Sequence, residues 1–497
     1  MIKYTGWILG CLLFSISSTS AFSQKQSVRL SLDELIKTAS EQSPAAVAAK
    51  YNFLASYWQF CTYKAQLLPS ATLNASAGKY NRSLVSLQNY ETGAINYVQN
   101  DNLQNSLSLS VSQNIALTGG SISVSSSLNR LDQFSPDKLV TFYSNPVYIY
   151  YSQPINSFNS FKWDKKIEPK RFEIAKRVYL ESMESIYLQS VTLYFNALGA
   201  QTSFDLAKKN LSFSEMAVKM AEERYKIGSI NQSDLLQLQL RYNNDKLALN
   251  DASVLLETAM LALRSYLGFN DNADLLLSAP EYLPVVNLSY EDVYNRALEN
   301  SSEEIGNELS LLSAGQSVAE AKASKGLQAM FYAQFGLTQK SSSALGAYRN
   351  PMDQELLGLS VSLPIIDWGL GRGKVKLAKS KEEVIKTQVD QSRMNFRQNV
   401  LLTVLKFNNQ LSQCEVSAKA DSIARVNYTV SQERFRNGSL GVMELNNILS
   451  AKDEAALRRL NDISEFWRLY YTIRRVTLYD YLNNKNISAD FNKLTGE

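Results

Sequence analysis

The chain has 497 residues, 45% hydrophobic and 20% charged, room for several ordinary domains or one large one at about 150 residues per domain. Its 51 Lys+Arg against 47 Asp+Glu leave a formal charge of only +4, which excludes the basic footprint of a nucleic-acid binder. Histidine is absent, so Ser-His and Cys-His triads, histidine-ligated metals and the commonest general base are excluded too. An enzyme is not expected, nor a metal or cofactor.

Residues 1–23 read as a secretory leader. Lys3 supplies the positive start, 8–16 a short apolar run, and 17–23 a small-residue exit with cleavage after Ser23. The run is too short and serine-interrupted to span a bilayer, and no later run approaches about 18 apolar residues, so no transmembrane helix is expected. Cys11 stands too early for an acylation site. Cys61 and Cys414 lie far apart in helical patterns and are expected as buried thiols, not a bridge.

Beyond the leader, a helical stretch at 33–66 leads into strand-like segments. A very long helical pattern follows at 170–225, then a turn at Gly228 and a returning helix at 234–267. The order then repeats: helix at 291–325, strands, a long helix at 374–435, a turn at Gly438 and a returning helix at 443–479. Sequence matches support the repeat. Leu30-Ser31-Leu32-Asp33-Glu34-Leu35 aligns with Leu288-Ser289-Tyr290-Glu291-Asp292-Val293, and Ser152-Gln153-Pro154-Ile155 with Ser362-Leu363-Pro364-Ile365. Glu223-Arg224-Tyr225-Lys226-Ile227-Gly228-Ser229-Ile230 aligns with Glu433-Arg434-Phe435-Arg436-Asn437-Gly438-Ser439-Leu440. Several matches in order indicate an internal tandem duplication. The repeats are expected at 24–280 and 281–481, with an insertion at 80–143 in the first and a tail at 482–497.

The helical assignments rest on apolar residues stepping by three or four, as in Leu180, Met183, Tyr187, Val191, Tyr194 and Leu198. A helix of roughly 60 residues is about 90 Å long, so it must pack on other rods as a coiled-coil-like bundle. The strands alternate strictly. Leu107, Leu109 and Val111 interleave with serines, as do Ile122 and Val124; Leu357, Leu359, Val361 and Leu363 interleave with Gly358, Ser360 and Ser362. Such dyad alternation fits a membrane barrel with a wet lumen, although a half-buried soluble sheet alternates too. Tyr80, Tyr90, Tyr97, Phe142, Tyr143, Tyr148, Tyr150 and Tyr151 fit either an interfacial girdle or a packed sheet. One chain offers too few strands to close a membrane barrel, for which eight is the usual minimum, so several chains are required.

The duplicated order, Leu67-Leu68-Pro69 before the first strand, the Ser-Leu-Pro-Ile-Ile-Asp-Trp-Gly exit at 362–369 and the two Gly-Ser turns together resemble the TolC-like outer-membrane efflux proteins. The likeness covers about 30–481. It implies an α+β membrane protein in the outer membrane, extending into the periplasm. In a homotrimer, about four strands per chain would close a twelve-stranded barrel in lipid, continued by a long helical barrel as a periplasmic tunnel. Its implied function is export of small molecules as part of a tripartite pump, with a periplasmic adaptor and an inner-membrane transporter as partners. Type I protein secretion is the alternative within the family. The tips Gly228, Ser229, Gly438 and Ser439 would dock the adaptor.

Carried over by position, Glu444 and Asn447 fall on tunnel-lining positions and Asp234, after Ser233, on an acid that helps hold the tip shut. Phe435 stands where a tyrosine often bonds that acid, and Leu440 where an arginine is found in the best-known members. These departures remove a hydroxyl and a cation, so closure is expected to rest more on apolar packing. Three copies of Glu444 would form a carboxylate ring that attracts cations. Read without the resemblance, Glu444 is a first-turn acid favoured by the helix dipole, and Ser233-Asp234 is an N-cap pattern. Gly369-Leu370-Gly371-Arg372-Gly373-Lys374 lacks the spacing of a phosphate loop and reads as a tight strand-to-helix joint. On the helices alone, a soluble periplasmic coiled-coil adaptor or stalk is the competing reading.

Overall fold

The computed structural model describes residues 27–88, 92–135, 137–269, 274–280 and 283–496; the expected leader, Cys11 and Tyr90 lie outside the described residues. In chain order these form β1 (Ser27–Leu30), α1 (Leu32–Gln42), α2 (Pro44–Gln66), β2 (Ser70–Gln88), β3 (Ile95–Ile115), β4 (Gly120–Ser135) and β5 (Leu139–Ile155). Then come α3 (Ser160–Lys226), α4 (Gln232–Leu267), β6 (Asp274–Leu277), α5 (Tyr290–Asn300), α6 (Ser302–Ala323), β7 (Gln328–Ser341), a 3-10 turn (Gly346–Tyr348) and β8 (Met352–Ser362). The last are α7 (Leu370–Arg436), α8 (Val442–Thr477), β9 (Tyr479–Asp480), β10 (Lys485–Asn486) and α9 (Phe491–Thr495).

The helices recur in matched lengths. α1 and α5 have 11 residues each, α3 and α7 have 67, and α4 and α8 have 36. At about 1.5 Å per residue, each 67-residue helix is roughly 100 Å long. Local chemistry sets the ends. Ser31 and Glu34 form a capping box on α1: Glu34 N–H donates to Ser31 Oγ at 3.4 Å, and Ser31 N–H to Glu34 Oε2 at 2.9 Å. α3 begins earlier than its periodicity predicts, because Asn159 caps it by accepting from Lys162 N–H at 3.2 Å. Pro169 sits inside that helix and forgoes one backbone bond.

The chain divides into two compact units, each drawing segments from both halves of the sequence. One comprises the stretch up to Pro44, Gln189–Leu283 and Glu415–Ser464. Its parallel pair β1–β6 sets Leu30 beside Leu277. The Tyr194 hydroxyl fastens this pair to α3 by donating to the carbonyls of Ser278 and Leu30, the latter at 3.3 Å. Leu35, Leu263 and Leu267 are fully buried here.

The other unit comprises Ala45–Leu188, Pro284–Cys414 and Glu465–Glu497. Its core stacks Phe407 on Phe466, with ring centroids 5.2 Å apart. Beside them Arg474 donates to both oxygens of Glu184, at 3.0 and 2.9 Å, and to Asp480 at 3.1 Å. Tyr470 donates to Asp480 at 2.7 Å. Burial pushes the Glu184 carboxyl up, against the pull of Arg474. At Asp480 burial acts the same way, but the Asn483 amide, the Tyr470 hydroxyl and Arg474 overcome it and hold the carboxyl below the usual aspartate range.

This unit also carries the sheet, ordered β2-β3-β4-β5-β7-β8, every neighbour antiparallel. About four strands per chain were expected; there are six. The segment 80–143 supplies the two additional strands, since β3 and β4 lie within it and pair with each other and with β2 and β5. The physical reason is that an unbroken serine–aliphatic alternation satisfies its amides only by pairing.

The alternation sorts the sheet into two faces. Ala71, Val111, Val124, Ile149 and Phe335 follow one another across five strands, while Ser70, Ser112, Ser123, Tyr150 and Gln334 line the opposite row. The aromatic cluster divides accordingly. Tyr151 lies in register with Ile122 and Ala333, whereas Tyr148 and Tyr150 pair with serines of β4. Neither a single girdle nor a closed core results. Cys61 and Cys414 form no disulfide; Cys414 is buried as expected, whereas Cys61 is only half-buried on α2. Among the described residues, no helix is long and apolar enough to cross a membrane.

Candidate functional site at the helix tips

Two hairpins, α3–α4 and α7–α8, end in turns of the same construction. Gly228 has φ +72° and Gly438 φ +76°, a left-handed conformation that glycine adopts without steric cost. At the first turn Gly228 N–H donates to Tyr225 O at 2.9 Å and Ser229 N–H to Arg224 O at 2.8 Å. At the second, Gly438 N–H donates to Phe435 O at 3.0 Å and Ser439 N–H to Arg434 O at 2.8 Å. Both are Schellman closures. They hold the expected docking residues Gly228, Ser229, Gly438 and Ser439 at the points where the chain reverses.

Behind the turns the two hairpins pack on each other. Ala217 and Ala221 of α3, Leu238 of α4, Phe435 of α7, and Leu440 and Leu445 form one buried cluster. Phe435 is 6% and Leu440 7% exposed. These two gate candidates are therefore packed inside the chain's own cluster. A tyrosine at 435 would bring a hydroxyl into that cluster and an arginine at 440 a charge, each needing a partner there. Arg224 links the hairpins at the surface by donating to the carbonyl of Arg436 at 2.8 Å.

The polar candidates lie outside the cluster. Glu444 is an exposed acid in the first turn of α8, and Asn447 is exposed one turn further along. The pair shares one side of the helix by its i, i+3 spacing. Asp234 is half-buried in the first turn of α4 and Ser233 is exposed beside it. The cap of that helix is Asn231, whose Oδ1 accepts from Asp234 N–H at 2.8 Å; this corrects the Ser233-Asp234 cap pattern. Phe435 and Asp234 are not bonded to each other in any described contact. The glycine joint before α7 is filled by the chain's own anion. Asp367 accepts from Gly369 N–H and Gly371 N–H, each at 2.9 Å, and these bonds hold its carboxyl below the usual aspartate range.

Sequence reasoning missed two features of this unit. Asp421 of α7 is buried and bound by Arg425 at 2.8 Å and by Arg459 of α8 at 3.1 Å. Its partner on the other helix is 38 residues away in sequence, beyond any local pattern. The second was legible. Leu240, Leu247, Val254 and Leu261 recur every seven residues on α4 and are 52–66% exposed. Val416, Ile423 and Val430 do the same on α7, at 54–70%. A shallow groove of about 470 Å³ lined by Gln232, Ser233, Leu236, Gln237 and Leu240 runs along the start of the first stripe. Heptad spacing on an exposed face is the mark of a helix awaiting a partner helix.

One unit thus carries a two-faced antiparallel sheet and the other paired, glycine-capped helical hairpins. Residues 120–269 match the family model described as outer membrane efflux protein. Among solved structures, the chain is similar to the CmeC outer membrane channel of Campylobacter jejuni (TM-score 0.67, 14% identity, 93% of this chain and 88% of that one). It is similar to the outer membrane protein VceC of Vibrio cholerae (0.64, 13%, 92% and 97%), and to the open state of the MtrE outer membrane channel of Neisseria gonorrhoeae (0.58, 15%, 90% and 88%). No curated protein matches the chain. The family match covers residues 120–269, and the fold of the whole chain is that of these outer-membrane channels.

Proposed function

We propose that three copies of this chain form an outer-membrane channel-tunnel. It exports small molecules passively from a tripartite pump, across the periplasm and the outer membrane. The observation that carries this reading is the sheet. Leu107, Leu109, Val111, Ile122 and Val124 present an apolar face that is 38–50% exposed, while the other face is serine-rich. In water such a face is a liability of several kcal/mol, at about 25 cal/mol per Å²; against lipid it is satisfied, provided the sheet closes. A soluble adaptor would leave it uncovered.

Parity supports closure by identical copies. α3 and α7 run toward the tips and α4 and α8 away, so the heptad stripe of α4 would meet that of a neighbour's α7 antiparallel. A head-to-tail ring of this kind closes without a special end. Glu444 and Asn447 would line the constriction, with Glu444 as an acidic ring. The paired Gly-Ser tips would receive a periplasmic adaptor, and an inner-membrane transporter would supply the energy. Opening would be a shear of the hairpins against one another, resisted by the cluster around Phe435 and Leu440. Drug-type small molecules are the proposed cargo, ahead of a polypeptide in type I secretion.

The test is extraction of the full chain from membranes, followed by mass measurement in detergent and insertion into planar bilayers. A urea-resistant outer-membrane trimer that conducts ions is expected. A protein released as a dispersed soluble monomer, without conductance, overturns the reading.

A further inference from the structure

Between β2 and β5 the chain has 50 residues to place, 89–138, and β3 and β4 take most of them into the sheet. β3 and β4 pair from Asp101–Ser135 down to Ile115–Gly120, and β4 pairs with β5 from Gln133–Leu139 down to Ser121–Ser152. The turn that joins β3 to β4 is anchored at the foot of the sheet. Gln113 Nε2 donates to Leu67 O at 2.7 Å and Asn114 Nδ2 to Gln66 O at 3.3 Å. Asn159, the cap of α3, donates to Ala116 O and Leu117 O at 3.2 Å each, and Gln153 Nε2 donates to Thr118 O at 3.0 Å. The hairpin thus reaches the level where β2 begins and α3 starts. Leu117 at its turn is as bare as Leu68, Leu363 and Ile365 at the neighbouring joints, all 59–90% exposed. In the lower part of the hairpin, Leu107, Leu109 and Val111 of β3 lie in register with Leu128, Ser126 and Val124 of β4, and Ser108, Ser110 and Ser112 with Ser127, Ser125 and Ser123; above them Asn105 and Arg130 stand in the apolar row.

Only the outer edges of β2 and β8 lack a neighbour in the six-stranded sheet. Six is even, so β8 runs opposite to β2, and the β8 edge of one copy can pair antiparallel with the β2 edge of the next. Their charges are complementary in sign. Asp353 and Glu355 are exposed on β8, Lys79 and Arg82 on β2; Asp353 and Lys79 each lie nine positions from the foot of their strand, Ser362 and Ser70.

We infer that each protomer contributes six strands, so that three copies close an eighteen-stranded barrel with a serine-lined mouth. This rests on the trimeric channel reading above and concerns only the wall. With strands about 4.8 Å apart and tilted about 40°, twelve strands give a backbone diameter of about 24 Å and eighteen about 36 Å. The mouth has roughly twice the cross-section that four-stranded protomers would enclose, whatever the width at the helix tips.

The test images the full-length trimer in nanodiscs by electron cryomicroscopy and counts strands in the barrel cross-section. In parallel, single spin labels at Leu109→Cys, Val124→Cys, Ser110→Cys and Ser123→Cys read the two faces of the hairpin. Eighteen strands are expected. Labels at 109 and 124 should be relaxed by oxygen in the lipid, and those at 110 and 123 by a water-soluble nickel chelate. A trimer with a twelve-stranded wall, or with all four labels open to water, overturns the inference and leaves the channel intact. A soluble monomer overturns both.

Discussion

Glu444 and Asn447 stand free at the start of α8, while Phe435 and Leu440 are sunk in the cluster beside them. The residues expected as one gate therefore fall into two environments: the polar pair is exposed and the apolar pair is buried in the tip cluster. A carboxylate about 4 Å from a passing ion contributes about 1 kcal/mol even in water, or roughly a fivefold preference. Glu444→Gln is expected to lower the cation-over-anion permeability ratio by about that factor while leaving trimer stability unchanged. Reversal potentials in a salt gradient across a planar bilayer measure it; an unaltered ratio would remove Glu444 from the constriction. The tip glycines were legible because a left-handed turn between helices demands them. The burial of Phe435 was not, since a phenylalanine in a helical pattern reads alike on an inner face or an outer one.

At the scale of elements, the heptad stripes of α4 and α7 are the exposed surfaces that most need a partner. Each leucine taken out of water contributes about 1.5–3 kcal/mol, and a carboxylate in its place would be desolvated without a counter-charge. Leu240→Glu with Leu247→Glu is expected to convert the trimer to monomers at micromolar concentration, with helix content preserved. Sedimentation in detergent alongside circular dichroism reports both. The double variant remaining trimeric would mean that α4 is not at the protomer boundary. The long helices could be read from periodicity, because each turn depends on neighbouring side chains, but the early start of α3 at Ser160 could not. The strand count could not: β5 takes β7 as its neighbour across more than 170 residues, and no spacing rule announces that.

For the molecule as a whole, the Arg474–Glu184–Asp480 cluster ties segments from distant parts of the chain into one unit. Asp480 contributes to its pH dependence with a definite sign, because its carboxyl is held below the usual range in the fold, whereas that of Glu184 is pushed up and acts in the opposite sense. A depressed folded value means stability that is present above the unfolded value, about 3.9, and is lost as the pH falls through the folded one. Thermal stability is therefore expected to fall on acidification below about pH 4. Asp480→Asn is expected to lower neutral-pH stability by about 1.5–3 kcal/mol, the scale of hydrogen bonds to a charged group, and to flatten the acid limb. An equally steep acid limb in the variant would assign the transition to other carboxylates.

The sequence by itself determined the repeated order of elements, the reach of the helices, the two chemically distinct sides of each strand and the glycines at the reversals. All of these are periodic or steric properties that a short window of residues carries. Only the tertiary structure decided that the inserted hairpin joins the sheet, which charges are buried as pairs, and which apolar side chains are buried within the chain. Backbone amides pair without regard to side-chain identity, and a charge or a leucine acquires its role from neighbours that folding brings from far along the chain.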